Sequence, residues 1–151
     1  MSFKILQYKV KTIIENNNLT VTRRLTEICE LLKKSIIYYD WVGFYFADQE
    51  EKSLHLKAYA GEHTDHTIIA FGKGICGQVA ISNKKFVVKD VKSHSNYLAC
   101  NIKVKAEIVI PLFKNGKNIG QIDIDSHTLN PFSQDDEDFL VWLNDKVSGI
   151  L

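Results

Sequence analysis

The chain has little of what breaks, staples or anchors a polypeptide. Only two prolines, Pro111 and Pro131, occur in 151 residues. No stretch is rich in proline, glycine and serine, and no repeat recurs, so one domain over residues 1–151 is expected. Three cysteines, Cys29, Cys76 and Cys100, are too sparse for a disulfide framework, and their odd number leaves one over. That usage fits a reduced, cytoplasmic protein. Charge of one sign is also missing: 19 Lys+Arg against 18 Asp+Glu leave a net +1. No global field then favours nucleic acid or an anionic membrane. No apolar run approaches the ~20 residues that span a bilayer. Lys4, Lys9 and Lys11 interrupt the start, which leaves no apolar signal-peptide core. What remains, 45% apolar and 25% charged residues, is the composition of a soluble globular domain.

Periodicity supplies the elements. Phe3, Leu6, Val10, Ile13 and Ile14 recur at three- and four-residue steps and predict a first helix. Asn16, Asn17 and Asn18 end it. Leu25, Ile28, Cys29, Leu32 and Ile36 predict a second helix, with Cys29 as a small buried hydrophobe. Residues 41–47 are aromatic and β-branched, as strands prefer. Residues 53–60 alternate, which places Leu54, Leu56, Ala58 and Ala60 on one face, and the polar 48–52 between them reads as a hairpin loop. A short strand at 67–71, a short helix at 75–82 and a strand at 85–89 follow; 91–105 is irregular or weakly helical. Residues 107–113 and 118–125 form a hairpin through Lys114-Asn115-Gly116. The last helix starts at Ser133, with Asp136 in the capping-box position, and buries Leu140, Leu143 and Val147. The acidic run 135–138 complements that helix's dipole and is read as capping, not as a metal site. Hairpin-joined strands with helices at both chain ends make an α+β domain, its terminal helices together on one face of an antiparallel sheet.

The late hairpin carries chemistry. Ile108, Ile110, Ile122 and Ile124 must share the core face. A two-residue Asn115-Gly116 turn pairs Phe113 with Asn118 and sends the two strands' isoleucines to opposite faces. A three-residue loop with Gly116 left-handed pairs Phe113 with Lys117 and aligns all four, with Ile108 opposite Ile122. That register is the expected one. It lines up Glu107, Gln121, Asp123 and Asp125 on the other face, with Glu107 near Asp123. Opposed like charges destabilise a sheet. The row is therefore either a solvated face or a site for a cation, an amine or a metal. Metal is the weaker site reading, since His127 beside Asp125 is the one extra ligand at hand. His63 and His66 lack a matching cysteine or carboxylate cluster, and no metal is expected there.

Gly72, Gly74 and Gly77 match the G-x-G-x-x-G dinucleotide fingerprint. The helix that follows is too short for that unit, and the strands before it read as antiparallel. A tight turn, with Gly77 permitting close packing, explains them better, and no cofactor is expected. Cys76 lies near that helix's N-terminus, which favours a thiolate. Cys100 precedes Lys103 and Lys105, whose charge favours the same.

Taken together, the motifs resemble a known family. Asp40-Trp41-Val42-Gly43-Phe44-Tyr45, Phe71-Gly72-Lys73-Gly74-Ile75-Cys76-Gly77, Leu98-Ala99-Cys100, residues 107–112 and Asp123-Ile124-Asp125-Ser126 are similar, in order and spacing, to the GAF domains that act as free methionine-(R)-sulfoxide reductases. The likeness runs from about Asp40 to the final helix. It implies a GAF (PAS-like) fold with a ligand pocket on the sheet face away from the terminal helices. It implies that Glu107, Asp123 and Asp125 hold a substrate ammonium and that Trp41 and Tyr45 line the pocket. It implies that Cys100 attacks the sulfoxide sulfur and becomes a sulfenic acid, that a second cysteine then forms a disulfide with it, and that a thioredoxin-type reductant resets the enzyme.

The sequence departs from the family at the relay. His66 stands where the resolving cysteine is expected. Cys76 matches a further family cysteine and is the substitute resolver; a small thiol acting directly on the sulfenic acid is the other route. Tyr97, Asn101 and Ala106 replace the family's His, Asp and Ser. His66 is either a pocket residue close to Cys100 or an ordinary loop histidine. The leading expectation is reduction of free methionine-(R)-sulfoxide. The alternatives are a non-catalytic sensor of a small amine-bearing molecule and a homodimeric module paired through its two N-terminal helices.

Overall fold

The computed structural model describes residues 2–95, 97 and 102–151; the expectations placed on Cys100 and Asn101 lie outside these. The first helix, α1 (Phe3–Ile14), begins where the Ser2 hydroxyl accepts the Ile5 N–H, and it buries Leu6 and Val10. The second, α2 (Val21–Ser35), begins where the Thr20 hydroxyl accepts the Arg23 N–H, and it buries Leu25, Ile28, Cys29 and Leu32. These are the stripes that the periodicity predicts, and each cap satisfies an N–H that the helix itself leaves unpaired.

Six strands follow: β1 (Trp41–Asp48), β2 (Ser53–Ala60), β3 (Ile68–Ala70), β4 (Phe86–Val88), β5 (Ala106–Lys114) and β6 (Lys117–Ser126). They form one sheet in the order β3-β2-β1-β6-β5-β4, antiparallel throughout. A short helix, α3 (Gly74–Ser82), lies between β3 and β4, and α4 (Gln134–Ser148) closes the fold. The sheet separates two apolar clusters. On one face α1, α2 and α4 cover Val42, Phe44, Ile108, Ile110, Ile122 and Ile124. On the other, Ile75, Cys76 and Val79 of α3 pack with Trp41, Tyr45, Leu54 and Val109. This is the α+β arrangement expected from the sequence.

Two β-bulges decide which side chains reach which cluster, and both correct the expected registers. In the β5–β6 hairpin the turn has two residues, Asn115 (φ +53°) and Gly116 (φ +75°), with Lys114 opposite Lys117 and Phe113 opposite Asn118. The expected three-residue loop is absent. The isoleucines still align, because the pairing resumes at Leu112 opposite Gly120 and leaves Ile119 as the extra residue of a bulge. Ile108 then faces Ile124, and Ile110 faces Ile122. The same device acts in β2. Phe44 pairs with Ala58 but Tyr45 pairs with Leu56, so Lys57 is extra. Leu54 and Leu56 therefore join the α3 side while Ala58 and Ala60 join the three-helix side, instead of all four sharing a face.

The glycine turn is a packing feature. Gly72 (φ +86°) and Gly74 (φ +64°) take left-handed backbone, and a Cβ on Gly77 would lie 2.6 Å from the Ala70 carbonyl oxygen. The following helix has nine residues and serves an antiparallel sheet, which excludes the dinucleotide reading.

Candidate functional site

Strand register builds the site row by row. Trp41 of β1 lies opposite Asp125 of β6, which lies opposite Glu107 of β5. One step along the same face, Gly43 lies opposite Asp123, itself opposite Val109; the next step pairs Tyr45 with Gln121. Glu107 is thus paired directly with Asp125, not with Asp123 as the unbulged register implies. Asp123 lies one diagonal step away. All four polar side chains are buried: Glu107 is 6% exposed, Asp123 and Asp125 3% each and Gln121 0%. This settles the choice between a solvated sheet face and an enclosed one.

The aromatic wall is held at each polar tip. The Trp41 indole N–H donates to the Glu62 carbonyl at 3.1 Å, and the Tyr45 hydroxyl donates to the His66 carbonyl at 2.8 Å. Trp41 lies 6.4 Å from Tyr45 between ring centroids and stacks on Tyr59 at 5.7 Å. Its indole occupies space that only glycine leaves: a Cβ on Gly43 would lie 2.3 Å from the ring, and one on Gly61 2.7 Å. His66 therefore contributes its backbone carbonyl to the wall, while its own N–H is held by the Thr64 hydroxyl.

Cys76 joins the carboxylates from above. Its thiol points to Glu107 Oε2 at 3.9 Å, and its carbonyl accepts the Gln121 side-chain amide at 3.1 Å. Burial, followed by the negative charge of Asp123 and Glu107, pushes the Cys76 thiol well up from its ordinary range. The expected pull of the helix N-terminus towards thiolate is outweighed, and Cys76 stands as a protonated donor. Burial likewise raises the Asp123 carboxyl, opposed by hydrogen bonds from Glu107 and Cys76. It raises Asp125 well above the ordinary carboxylate range, with the Asp123 charge adding to the effect. One oxygen on each, Asp123 Oδ1 and Asp125 Oδ1, has no hydrogen-bond partner among the described residues. A buried acceptor in that condition costs about 1–3 kcal/mol until a donor or cation reaches it.

Two small cavities open on this face. One, of about 30 Å³, is bordered by Trp41, Glu62, Thr64, Asp125 and His127. The other, of about 10 Å³, is bordered by Tyr45, Lys73, Cys76, Glu107 and Asp123. Such volumes suit one or two water molecules. His127 is tied to Asp40, whose carboxylate accepts its backbone N–H at 2.7 Å. The donor that stands with Glu107 and Asp123 is the Cys76 thiol, with ligand atoms all within 4.8 Å of one another, while His127 borders the cavity that Asp125 also borders. Trp41, Tyr45, Glu107, Asp123, Asp125 and Cys76 thus share one face, with His66 at its border. The Trp41–Tyr59 stack and the Gly61 contact escaped the sequence reading. The signal available for them was Tyr59 two residues before a glycine at the end of a strand.

Known proteins share this fold. Residues 18–144 match the GAF domain family. GAF domain-containing protein A of Dictyostelium discoideum is 37% identical over 129 residues, covering 85% of this chain and 78% of that protein. A free methionine-R-sulfoxide reductase of Saccharomyces cerevisiae is 38% identical over 103 residues, covering 67% of this chain and 57% of that one. Among solved structures, the free methionine-R-sulfoxide reductase of Neisseria meningitidis in complex with its substrate superposes with a TM-score of 0.91 at 30% identity, covering 98% of this chain and 87% of that one.

Proposed function

The chain belongs to the GAF domain family, and from that premise we propose that its acidic face holds free methionine-(R)-sulfoxide by the ammonium group and that the protein reduces it. The observation that carries this reading is the buried trio Glu107, Asp123 and Asp125 beside the Trp41–Tyr45 wall, with an unpartnered oxygen on each aspartate. An ammonium offers three N–H donors and one positive charge, the complement of that set. A thioether or sulfoxide methyl packs well on indole and phenol faces. The carboxylates fix one end of an amino acid and the aromatics receive its side chain. The likeness to a reductase solved with its substrate supports the same ligand. Each cavity is smaller than an amino acid, so binding requires the wall around them to give way.

Cys100 is the proposed nucleophile. Its thiolate attacks the sulfoxide sulfur; the substrate gains two electrons and leaves as methionine, while Cys100 retains the oxygen as a sulfenic acid. A thiol then condenses with the sulfenic acid, releases water and forms a disulfide; a second thiol breaks that disulfide and restores Cys100. His66 occupies the position of the usual resolving cysteine and cannot form this bond. The condensing thiol is therefore Cys76 or a small-molecule thiol, with thioredoxin-type reductants completing the cycle in the first case. His66 in that position also favours the second reading, a pocket that binds the same molecule without turning it over.

The deciding experiment supplies purified, reduced protein with free methionine-(R)-sulfoxide and dithiothreitol and quantifies methionine. Catalytic methionine formation supports the reductase. Binding without product selects the sensor, and neither binding nor product by folded protein overturns the proposal. In the same assay Glu107→Gln keeps the shape of the side chain but removes a charge. Its expected effect is a loss of about 1.5–3 kcal/mol in ligand binding, roughly 10–150-fold in dissociation constant. Titration calorimetry measures it, and an unchanged affinity would remove Glu107 from the ammonium site.

A further inference from the structure

Two groups of metal-ligating side chains occur among the described residues, and they differ in kind. Asp48, Glu51 and His55 lie at the β1–β2 hairpin, where Asp48 Oδ1 already accepts the backbone N–H groups of Glu50 and Glu51. That cluster is explained by its turn. Cys76, Glu107 and Asp123 are all buried, come from three different elements, and bring a sulfur and two carboxylate oxygens within 4.8 Å of one another. Independently, the neighbouring Asp125, 3% exposed and paired with Glu107 across the strands, carries an unpartnered oxygen, as does Asp123.

We propose that Cys76, Glu107 and Asp123 form a site for a thiophilic divalent cation of the zinc class, which competes with the amine-bearing ligand for the same carboxylates. One sulfur and two oxygens suit zinc or cadmium; calcium and magnesium prefer oxygen donors alone. Zinc binds sulfur at about 2.3 Å and carboxylate oxygen at about 2.0–2.2 Å, which places neighbouring ligands about 3.5 Å apart. Cys76 Sγ and Glu107 Oε2 stand 3.9 Å apart, close to the spacing that an ion of that size requires. The fourth position falls to water on the Asp125 side. Binding releases the Cys76 proton to solvent and forms a metal–thiolate bond, with no change of oxidation state. The ion replaces a proton-sharing acidic cluster by a charge-compensated one. The site shares the pocket of the proposed reductase but does not depend on turnover.

The test titrates cadmium into the reduced full-length protein, without sulfoxide, and follows the ultraviolet sulfur-to-metal charge-transfer band. One ion per chain is expected, with the band lost in Cys76→Ser and retained in Cys100→Ser and Cys29→Ser. Asp123→Asn, which preserves shape, is expected to weaken binding by about tenfold or more, and free methionine sulfoxide is expected to displace the ion. No band in the folded wild type overturns the proposal, as does a band that survives Cys76→Ser or an Asp123→Asn affinity equal to wild type. If circular dichroism shows Cys76→Ser unfolded, the Asp123→Asn titration decides. Sulfoxide binding measured on the same protein without cadmium keeps failure of this site distinct from failure of the proposed activity.

Discussion

Cys100→Ser is expected to remove methionine formation altogether, while Cys29→Ser leaves it intact. Only a thiol that can become a thiolate attacks the sulfoxide. Cys29 lies in the buried stripe of α2, fully enclosed, with its thiol directed at the Ala58 carbonyl oxygen, and burial pushes it far above the ordinary thiol range. It is a core side chain in chemistry as well as position. Cys76 is buried against three carboxylates and holds its proton. A protonated, enclosed thiol is a poor nucleophile. Cys100, with Lys103 and Lys105 shortly after it in the chain, is the cysteine on which the family resemblance places the attack. A serine hydroxyl does not ionise near neutral pH and does not accept oxygen from a sulfoxide, so the loss is of the nucleophile itself. Losses on removing a nucleophile reach about 10⁶-fold in other enzymes, and the residual rate is expected to be that of dithiothreitol alone. The control that matters is Cys76→Ser with dithiothreitol as reductant. It is expected to keep the oxygen-transfer step, because that step needs only Cys100, and to slow recycling by a thioredoxin-type protein if Cys76 is the resolver. Retained turnover in Cys100→Ser together with its loss in Cys76→Ser would move the attack to Cys76 and break the likeness to the family at its centre.

The elements were legible in the sequence wherever one periodicity ran without interruption. The stripes of α1 and α2 and the cap of α4 are examples, because a helix face and a cap are local facts. The registers were not legible in the same way. The four isoleucines demanded one face, and the demand was met, but by a two-residue turn and a bulge at Ile119 in place of a longer loop. In β2 the sequence alternates straight through Lys57, where an extra residue exchanges the faces of everything after it. A bulge is specified by the neighbouring strand, and a strand read alone does not contain it. The acidic face was visible because its residues lie on one hairpin. The state of Cys76 was not, since a position near a helix N-terminus argues for thiolate, whereas the burial and the carboxylates that reverse the argument come from elements 31 to 49 residues away in sequence. Local chemistry in the sequence was overruled by non-local burial.

Asp136 shows the same contrast and carries the largest expected effect on stability. Read locally it completes a capping box, and it does: its Oδ2 accepts the Ser133 backbone N–H at 2.8 Å, and its own N–H donates to the Ser133 hydroxyl at 3.4 Å. The same carboxylate is completely buried and accepts two phenols from the connection between α2 and β1, Tyr39 at 2.7 Å and Tyr38 at 2.9 Å, 97 and 98 residues distant in sequence. Burial and this carboxylate push both phenols up, so each remains a donor at any working pH. The group therefore fastens the start of α4 to the entry of the sheet. Asp136→Ala removes the cap, worth about 1 kcal/mol. It also leaves the buried Tyr39 hydroxyl without its acceptor, at about 1–3 kcal/mol, and opens a gap beneath Tyr38. The expected loss is about 2–4 kcal/mol, a large part of the 5–15 kcal/mol typical of a domain. Denaturant unfolding monitored by tryptophan fluorescence measures it, since Trp142 lies on α4 and Trp41 on β1. Tyr39→Phe, which removes the donor but keeps the ring, is expected to cost only about 1 kcal/mol. In the double variant, Tyr39→Phe should restore part of what Asp136→Ala loses, because the fully buried phenol is then gone and only the half-buried Tyr38 hydroxyl has lost its acceptor. A loss below about 1 kcal/mol for Asp136→Ala would mean that the carboxylate acts as a cap alone, and strictly additive losses in the double variant would mean that the Tyr39 contact contributes nothing of its own.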